Sequence, residues 1–204
     1  MLKQIMTLLR NWRQAKSTFS TLAHLYALGD HRLDALGGLT REEMDGLARW
    51  AQDVPAGGTI VEVGTLFGLT TIELARRAPE GVKVVTVDNF CWNPFGLPPA
   101  HHAGFTRRIL APWIEMGKVE LVQADSEAFR KNLGSVPSMV FFDADHSYEA
   151  VRDEIAWAKS LGVKIISGHD YANAHFGVTR AVDEAFPQGV ETAGMCWKAA
   201  IVGL

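Results

Sequence analysis

Carboxylates and histidines recur at the ends of short apolar runs along this chain. Glu62 and Gly64 end TIVEVG, Asp88 ends VVTVD and Asp125 ends VELVQAD; Asp143, Asp145 and His146 follow MVFF, and His169 with Asp170 ends VKIISGHD. A carboxylate removed from water is costly unless something pairs with it, so a fold that needed only stability would avoid five such ends in a row. The first leads into EVGTLFGLTT, where Gly64 and Gly68 let the backbone turn sharply and leave room for a ligand against the main chain. The spacing is E-x-G-x-x-x-G, not the G-x-G-x-x-G of dinucleotide sites. An acid at Glu62 repels phosphate, which prefers a bare helix N-terminus, and suits a sulfonium or an amino group. Asp88, at the end of the next run, can accept both hydroxyls of a ribose, and Asp125 with Ser126 can reach an adenine amino group. Taken singly each has a plainer reading, Asp125 as a helix cap and Asp88 as a turn residue; the ordered set is harder to read that way.

Asp143 and Asp170 end the fourth and fifth runs. Neighbouring strands lie about 4.8 Å apart, so these two carboxylates can share one cation. Oxygen ligands suit Mg2+, which keeps several waters and leaves positions for substrate oxygens. His169 beside Asp170 shifts the preference toward Mn2+, Fe2+ or Zn2+; its other readings are a partner to a ligand and a core histidine bonded to a carbonyl. His146 stands three positions after Asp143, and imidazole is the side chain that ordinarily exchanges a proton near neutral pH.

Such a rim needs a scaffold. The five runs are mostly Val, Ile, Leu and Phe and apolar on both faces, the mark of a parallel sheet covered by helices. Between them Ile72, Ala75 and Ala78 line one helix, and Tyr148, Val151, Ile155, Ala158 and Leu161 another, at steps of three or four. Strand and helix alternating five times predict a doubly wound α/β sheet. GVETAGM and WKAAIVGL have no helix between them and predict an antiparallel C-terminal hairpin at one sheet edge. Ahead of the sheet, Leu2, Ile5, Met6, Leu9 and Trp12, continued by Phe19, Leu22, Leu25 and Tyr26, predict an amphipathic helix that Gly29 and Asp30 stop. A second helix opens at Thr40 with Glu43 as a capping box, and Met44, Leu47, Ala48 and Ala51 form its stripe. The polar faces carry both signs of charge, which favours packing on the core or on a second copy over anchoring at a membrane. The expected division is a helical extension over 1–54 and a ligand-binding domain over 55–204.

Composition agrees with one globular domain and its extension: 204 residues, 48% hydrophobic and 21% charged. A net charge of −3 without a basic stripe speaks against nucleic acid. Two distant cysteines, Cys91 and Cys196, make no disulfide framework. With no apolar run of about 18 residues and no secretion signal, the expectation is a cytoplasmic protein without a membrane span.

VEVGTLFGLTT, VVTVDNF, VQADSE and VFFDADHSYEAV together resemble the successive motifs of class I S-adenosylmethionine-dependent methyltransferases. FFDADHSYEAV, IISGHDY and GVTRAVDEAF are similar to one branch, the small bacterial enzymes related to macrocin and mycinamicin sugar O-methyltransferases. The resemblance runs from about Thr59 to Leu204 and implies a seven-stranded Rossmann-like sheet. It further implies that Glu62, Gly64, Thr65 and Gly68 hold the methionine part, Asp88 and Asn89 the ribose, and Asp125 and Ser126 the adenine. By the same resemblance Asp143 and Asp170 hold a divalent metal, most simply Mg2+, with His169 as this chain's own candidate third ligand, and His146 and Asp143 are the catalytic pair. Relatives place two carboxyl or carboxamide groups after the fifth strand, where this chain has His169 and Asp170, so a metal-free site using Asp143 and His146 alone is the other arrangement weighed.

NFCWNPFGLPPAHHAGF, between the second and third runs, reads as an irregular lid in which Trp92 and Phe95 cover the cofactor or wall the acceptor pocket. The adjacent His101 and His102 read as solvent-facing rather than as ligands. Asn93-Pro94-Phe95 is superficially like the N-P-P-Y motif of base-modifying methyltransferases, but it follows the second strand instead of the fourth. The reading is therefore O-methylation of a small hydroxylated acceptor such as a sugar, with the N-terminal helices as the natural element for a homo-oligomer. A nicotinamide-dependent oxidoreductase lacks its glycine fingerprint here. A metal-dependent glycosyltransferase rests on the short Asp143-Ala144-Asp145 match alone, and a non-catalytic nucleoside-binding relic does not need the acids after the fourth and fifth runs.

Overall fold

The five apolar runs form β1 (Thr59–Val63), β2 (Lys83–Asp88), β3 (Val119–Gln123), β4 (Met139–Phe142) and β5 (Ile165–Gly168) in a computed structural model that describes residues 39–200. They pair in parallel, while β6 (Glu191–Ala193) and β7 (Cys196–Ala200) add an antiparallel edge, giving the order β3-β2-β1-β4-β5-β7-β6. The predicted doubly wound sheet and its C-terminal hairpin are both present. The chain moves outward from β1 through β2 to β3, then returns to lay β4 on the other side of β1. That reversal opens a crevice at the carboxyl ends of β1 and β4, the place where sheets of this kind take ligands.

Among the described residues six helices cover the sheet: α1 (Arg41–Ala51), α2 (Leu69–Arg77), α3 (Pro99–Glu115), α4 (Ser126–Lys131), α5 (Tyr148–Ser160) and α6 (Val178–Ala185). Alternate strand residues point to opposite faces. Ile60, Val84, Met139 and Phe141 meet α1, α2 and α3 on one face, and Val61, Val63, Val140 and Ile166 meet α5, α6 and Trp197 on the other. This is why the runs carry apolar residues on both faces.

The helix expected at Thr40 forms, with both capping-box bonds: Glu43 N–H donates to Thr40 Oγ1 at 3.3 Å and Thr40 N–H to Glu43 Oε2 at 2.7 Å. Its apolar stripe enters the sheet's own core, where Leu39, Leu47, Trp50, Ala51 and Val54 are buried with Ile60 and Phe141. Among the described residues, packing is thus continuous across the boundary expected after residue 54. The earlier amphipathic helix, from Leu2 to Tyr26, lies outside the described residues, as does the end of the last run. Among the described residues no helix is long and apolar enough to cross a membrane. The lid expected between β2 and β3 is a loop only over 89–98, and the 17-residue α3 takes up the rest.

Candidate active site

At the end of β1 the chain turns through Gly64, whose φ is +100° and whose missing side chain matters. A Cβ there would fall 2.1 Å from the carbonyl oxygen of Asp143, so the loop lies directly against the end of β4. Asp88 ties the loop to β2: its Oδ2 accepts from the N–H groups of Thr65 at 3.0 Å and Leu66 at 2.9 Å, and its Oδ1 from Phe90 at 2.6 Å. Leu66 is left-handed, with φ of 46°, and its carbonyl accepts from His102 Nε2 at 2.9 Å and from the Thr106 hydroxyl at 2.7 Å. His102 is therefore not solvent-facing as expected. It is buried between Phe67 and Phe90, and burial lowers its pKa, which favours a neutral ring donating to the loop. His101 is exposed.

Glu62 sits one residue inside β1 and reaches the loop from beneath. The Thr71 hydroxyl donates to its Oε2, Thr65 and Thr86 hydroxyls lie 2.6 Å apart beside it, and its buried Oε1 has no partner. Burial pushes the carboxyl up to about 8, so the isolated site favours a protonated acid where the sequence suggested a fixed charge. Asp125 stands exposed at the N-cap position of α4, accepting from Asn89 Nδ2 at 2.9 Å. The Ser126 hydroxyl turns instead to buried Glu154, at 2.7 Å. Of the lid aromatics, Phe95 leans on Phe67 and Trp92 is 70% exposed.

The second group lies after β4 and β5. His169 Nδ1 is 3.5 Å from Asp143 Oδ1 and 3.5 Å from Asp170 Oδ2, while His169 Nε2 is 3.2 Å from Glu43 Oε1. Burial opposes charge on His169, but Asp143, Asp170 and Glu43 outweigh it and hold the imidazolium up to about 12. Burial likewise opposes the Glu43 carboxylate, yet His169 and the Met195 and Thr40 amides bring it down to about 2. Asp170 is left-handed, with φ of 60°, a conformation Asp tolerates better than most residues. Its Oδ1 accepts from Asn173 at 3.0 Å and its Oδ2 lies 3.3 Å from His146 Nδ1. The His146 ring rests on Phe176, centroids 4.6 Å apart, and Phe176 also lines a groove of about 540 Å³ running along α6 past Asn173, Thr179 and Arg180. Asp145 is exposed and accepts from Ser147 N–H ahead of α5, apart from the cluster. Cys196 is buried nearby, and burial and then the surrounding acids push its thiol up, so it stays protonated.

One oxygen each of Asp143 and Asp170 and a nitrogen of His169 lie within 4.8 Å of one another. Two hard oxygens with one imidazole nitrogen fit a divalent ion, and the nitrogen favours Mn2+, Fe2+ or Zn2+ over Mg2+. The residue that sequence reasoning missed is Glu43. Its capping role was legible, but nothing in the local pattern indicated that the same carboxylate faces a histidine 126 positions later.

Residues 61–171, more than half of the chain, match a family model described as a methyltransferase domain. No curated protein matches the chain. Among solved structures it is similar to cofactor-bound Rv0187 from MTB, at 24% identity and TM-score 0.55, covering 74% of this chain and 68% of that one. It is similar to the O-methyltransferase from Bacillus cereus in complex with SAH, at 19% identity and TM-score 0.57 over 84% and 78% of the two chains. It is also similar to the O-methyltransferase TomG from Streptomyces achromogenes, involved in tomaymycin synthesis and in complex with SAM, at 19% identity and TM-score 0.54 over 74% and 69%. These likenesses are of fold.

Proposed function

The chain belongs to the methyltransferase-domain family, and from that premise we propose that it uses S-adenosylmethionine to methylate a hydroxyl of a small acceptor such as a sugar or another secondary metabolite. The observation that carries this reading is the convergence of Asp143, His146, His169 and Asp170 after β4 and β5, against the loop at Gly64. The branch of macrocin-related sugar enzymes, resembled in sequence, is the same reading made narrower.

Two features support a nucleoside with a cationic end beside the loop. Glu62 Oε1 is a buried acceptor without a partner, suited to an ammonium group. Asp88 holds the loop through the Thr65 and Leu66 amides and accepts a third from Phe90 in its own segment; a carboxylate has about four acceptor positions, which leaves capacity for a ribose hydroxyl next to Asn89. Asp125, bonded to Asn89, would meet the adenine. When bound, S-adenosylmethionine supplies a methyl group on sulfur, and sulfur keeps the bonding pair as the methyl passes to oxygen. When bound between Asp143, His169 and Asp170, a divalent ion supplies charge that favours the deprotonated acceptor.

The remaining work falls to side chains. With Asp170 facing Nδ1, His146 carries its proton there and presents the Nε2 lone pair, which removes the acceptor's hydroxyl proton. Phe176 fixes the ring plane. A metal-free form of this mechanism is favoured by one observation: His169 Nδ1 already lies 3.5 Å from both Asp143 and Asp170, where the ring can take the place of an ion between them. Asp143→Asn is expected to abolish turnover, followed by mass spectrometry of a panel of hydroxylated acceptors, and to leave S-adenosylhomocysteine affinity within severalfold by calorimetry. Full turnover in that variant removes Asp143 from the mechanism, and metal analysis of the active protein separates the two forms.

A further inference from the structure

We propose that Glu43, on α1, is a positioning residue for His169: it receives the Nε2 proton and thereby leaves Nδ1 as the donor atom that joins Asp143 and Asp170 around a divalent metal. The inference rests on the metal-assisted form of the reading above and concerns a residue outside the 61–171 match.

The two nitrogens of His169 face different surroundings. Nδ1 looks toward Asp143 and Asp170, 3.5 Å from each, and it is these three residues that bring donor atoms within 4.8 Å of one another. Nε2 is buried, makes no hydrogen bond at its present angle, and has Glu43 Oε1 3.2 Å away. A ligating histidine commonly donates its second ring N–H to a carboxylate, which fixes tautomer and ring plane.

Helix capping does not account for the rest of Glu43. The cap uses Oε2, which accepts from Thr40 N–H at 2.7 Å. Oε1 accepts from Met195 N–H at 2.9 Å in the turn between β6 and β7, and Gly194 closes over the side chain so tightly that a Cβ would lie 2.7 Å from Glu43 Cγ. Capping glutamates need no such enclosure. The carboxylate is 2% exposed and fixed on both oxygens, so it cannot swing away from the imidazole. Three carboxylates around one imidazole also leave net negative charge that a dication relieves.

The test uses the full chain and reads metal binding, not turnover. Mn2+ affinity, followed by the electron paramagnetic resonance of the free ion, is expected to fall about 10–100-fold in Glu43→Gln, while S-adenosylhomocysteine affinity stays within twofold. Thr40→Ala removes the other bond of the capping box, from Glu43 N–H to Thr40 Oγ1, without touching His169, and is expected to keep the wild-type Mn2+ affinity. Because Glu43→Gln turns an amide N–H2 toward an existing N–H donor and can fail to fold, the wild-type protein provides a second reading. With Zn2+ bound, the 15N shifts of His169 are expected to report a protonated Nε2 and a ligated Nδ1. Equal affinity in Glu43→Gln, an equal loss in Thr40→Ala, or the opposite nitrogen assignment overturns the role of Glu43 and leaves the metal reading standing. Wild-type protein that binds none of Mn2+, Fe2+ or Zn2+ overturns both.

Discussion

Glu62 is held beneath the Gly64 loop with Thr71 as donor, and burial moves its carboxyl from 4.5 to about 8. The unfolded chain releases this proton at the lower value, whereas the folded chain keeps it to the higher one. The contribution to stability is therefore intact below about pH 4.5, declines as pH rises, and is lost above about pH 8. Gln has no such dependence. The melting temperature of Glu62→Gln relative to wild type is expected to climb between about pH 5 and about pH 8.5, and parallel profiles would show that Glu62 ionises normally. That an acid belongs beside this loop was legible in EVGTLFG; its protonation was not, because desolvation depends on what α2 and β2 place around it. His102 makes the same point. An adjacent pair of histidines says nothing about which one meets Phe67, Phe90 and the carbonyl of Leu66.

Among the elements, α1 was legible from its capping box and stripe, yet its partner was not. It packs on β6 so closely that a Cβ on Gly46 would lie 2.2 Å from Ala193 Cβ. Helix propensity favours Ala over Gly by about 1 kcal/mol, but overpacking costs about 1–3 kcal/mol, so the clash wins. Gly46→Ala is expected to lower the melting temperature, and adding Ala193→Gly to restore most of the loss. A rise in the single variant would mean that α1 and β6 are farther apart. The C-terminal hairpin was legible because no helical pattern separates its two runs; that β7 rather than β6 joins β5 was not, since both runs are strand-like.

Across the molecule, the same packing brings α1 and the β6–β7 turn to one rim with the ends of β4 and β5. A chain beginning at residue 55 removes Leu39, Leu47, Trp50, Ala51 and Val54 from the core, together with the Trp50 Nε1 bond to Glu191 at 2.7 Å. Losing several large buried side chains at about 2–5 kcal/mol each exceeds the stability of an ordinary domain. Loss of a cooperative unfolding transition is expected, by circular dichroism during urea titration. A sharp transition at the wild-type midpoint would mean that 55–204 folds without the extension.

Local order along the chain settled the strands, the helices α1, α2 and α5, the glycine turn and the acids that follow each strand, because periodicity and turn chemistry act over a few residues. Protonation states, the tautomer of a histidine and the meeting of Glu43 with His169 were decided only when distant segments packed. Those properties come from desolvation and from charges a few ångströms away in space, quantities that no spacing along a sequence encodes.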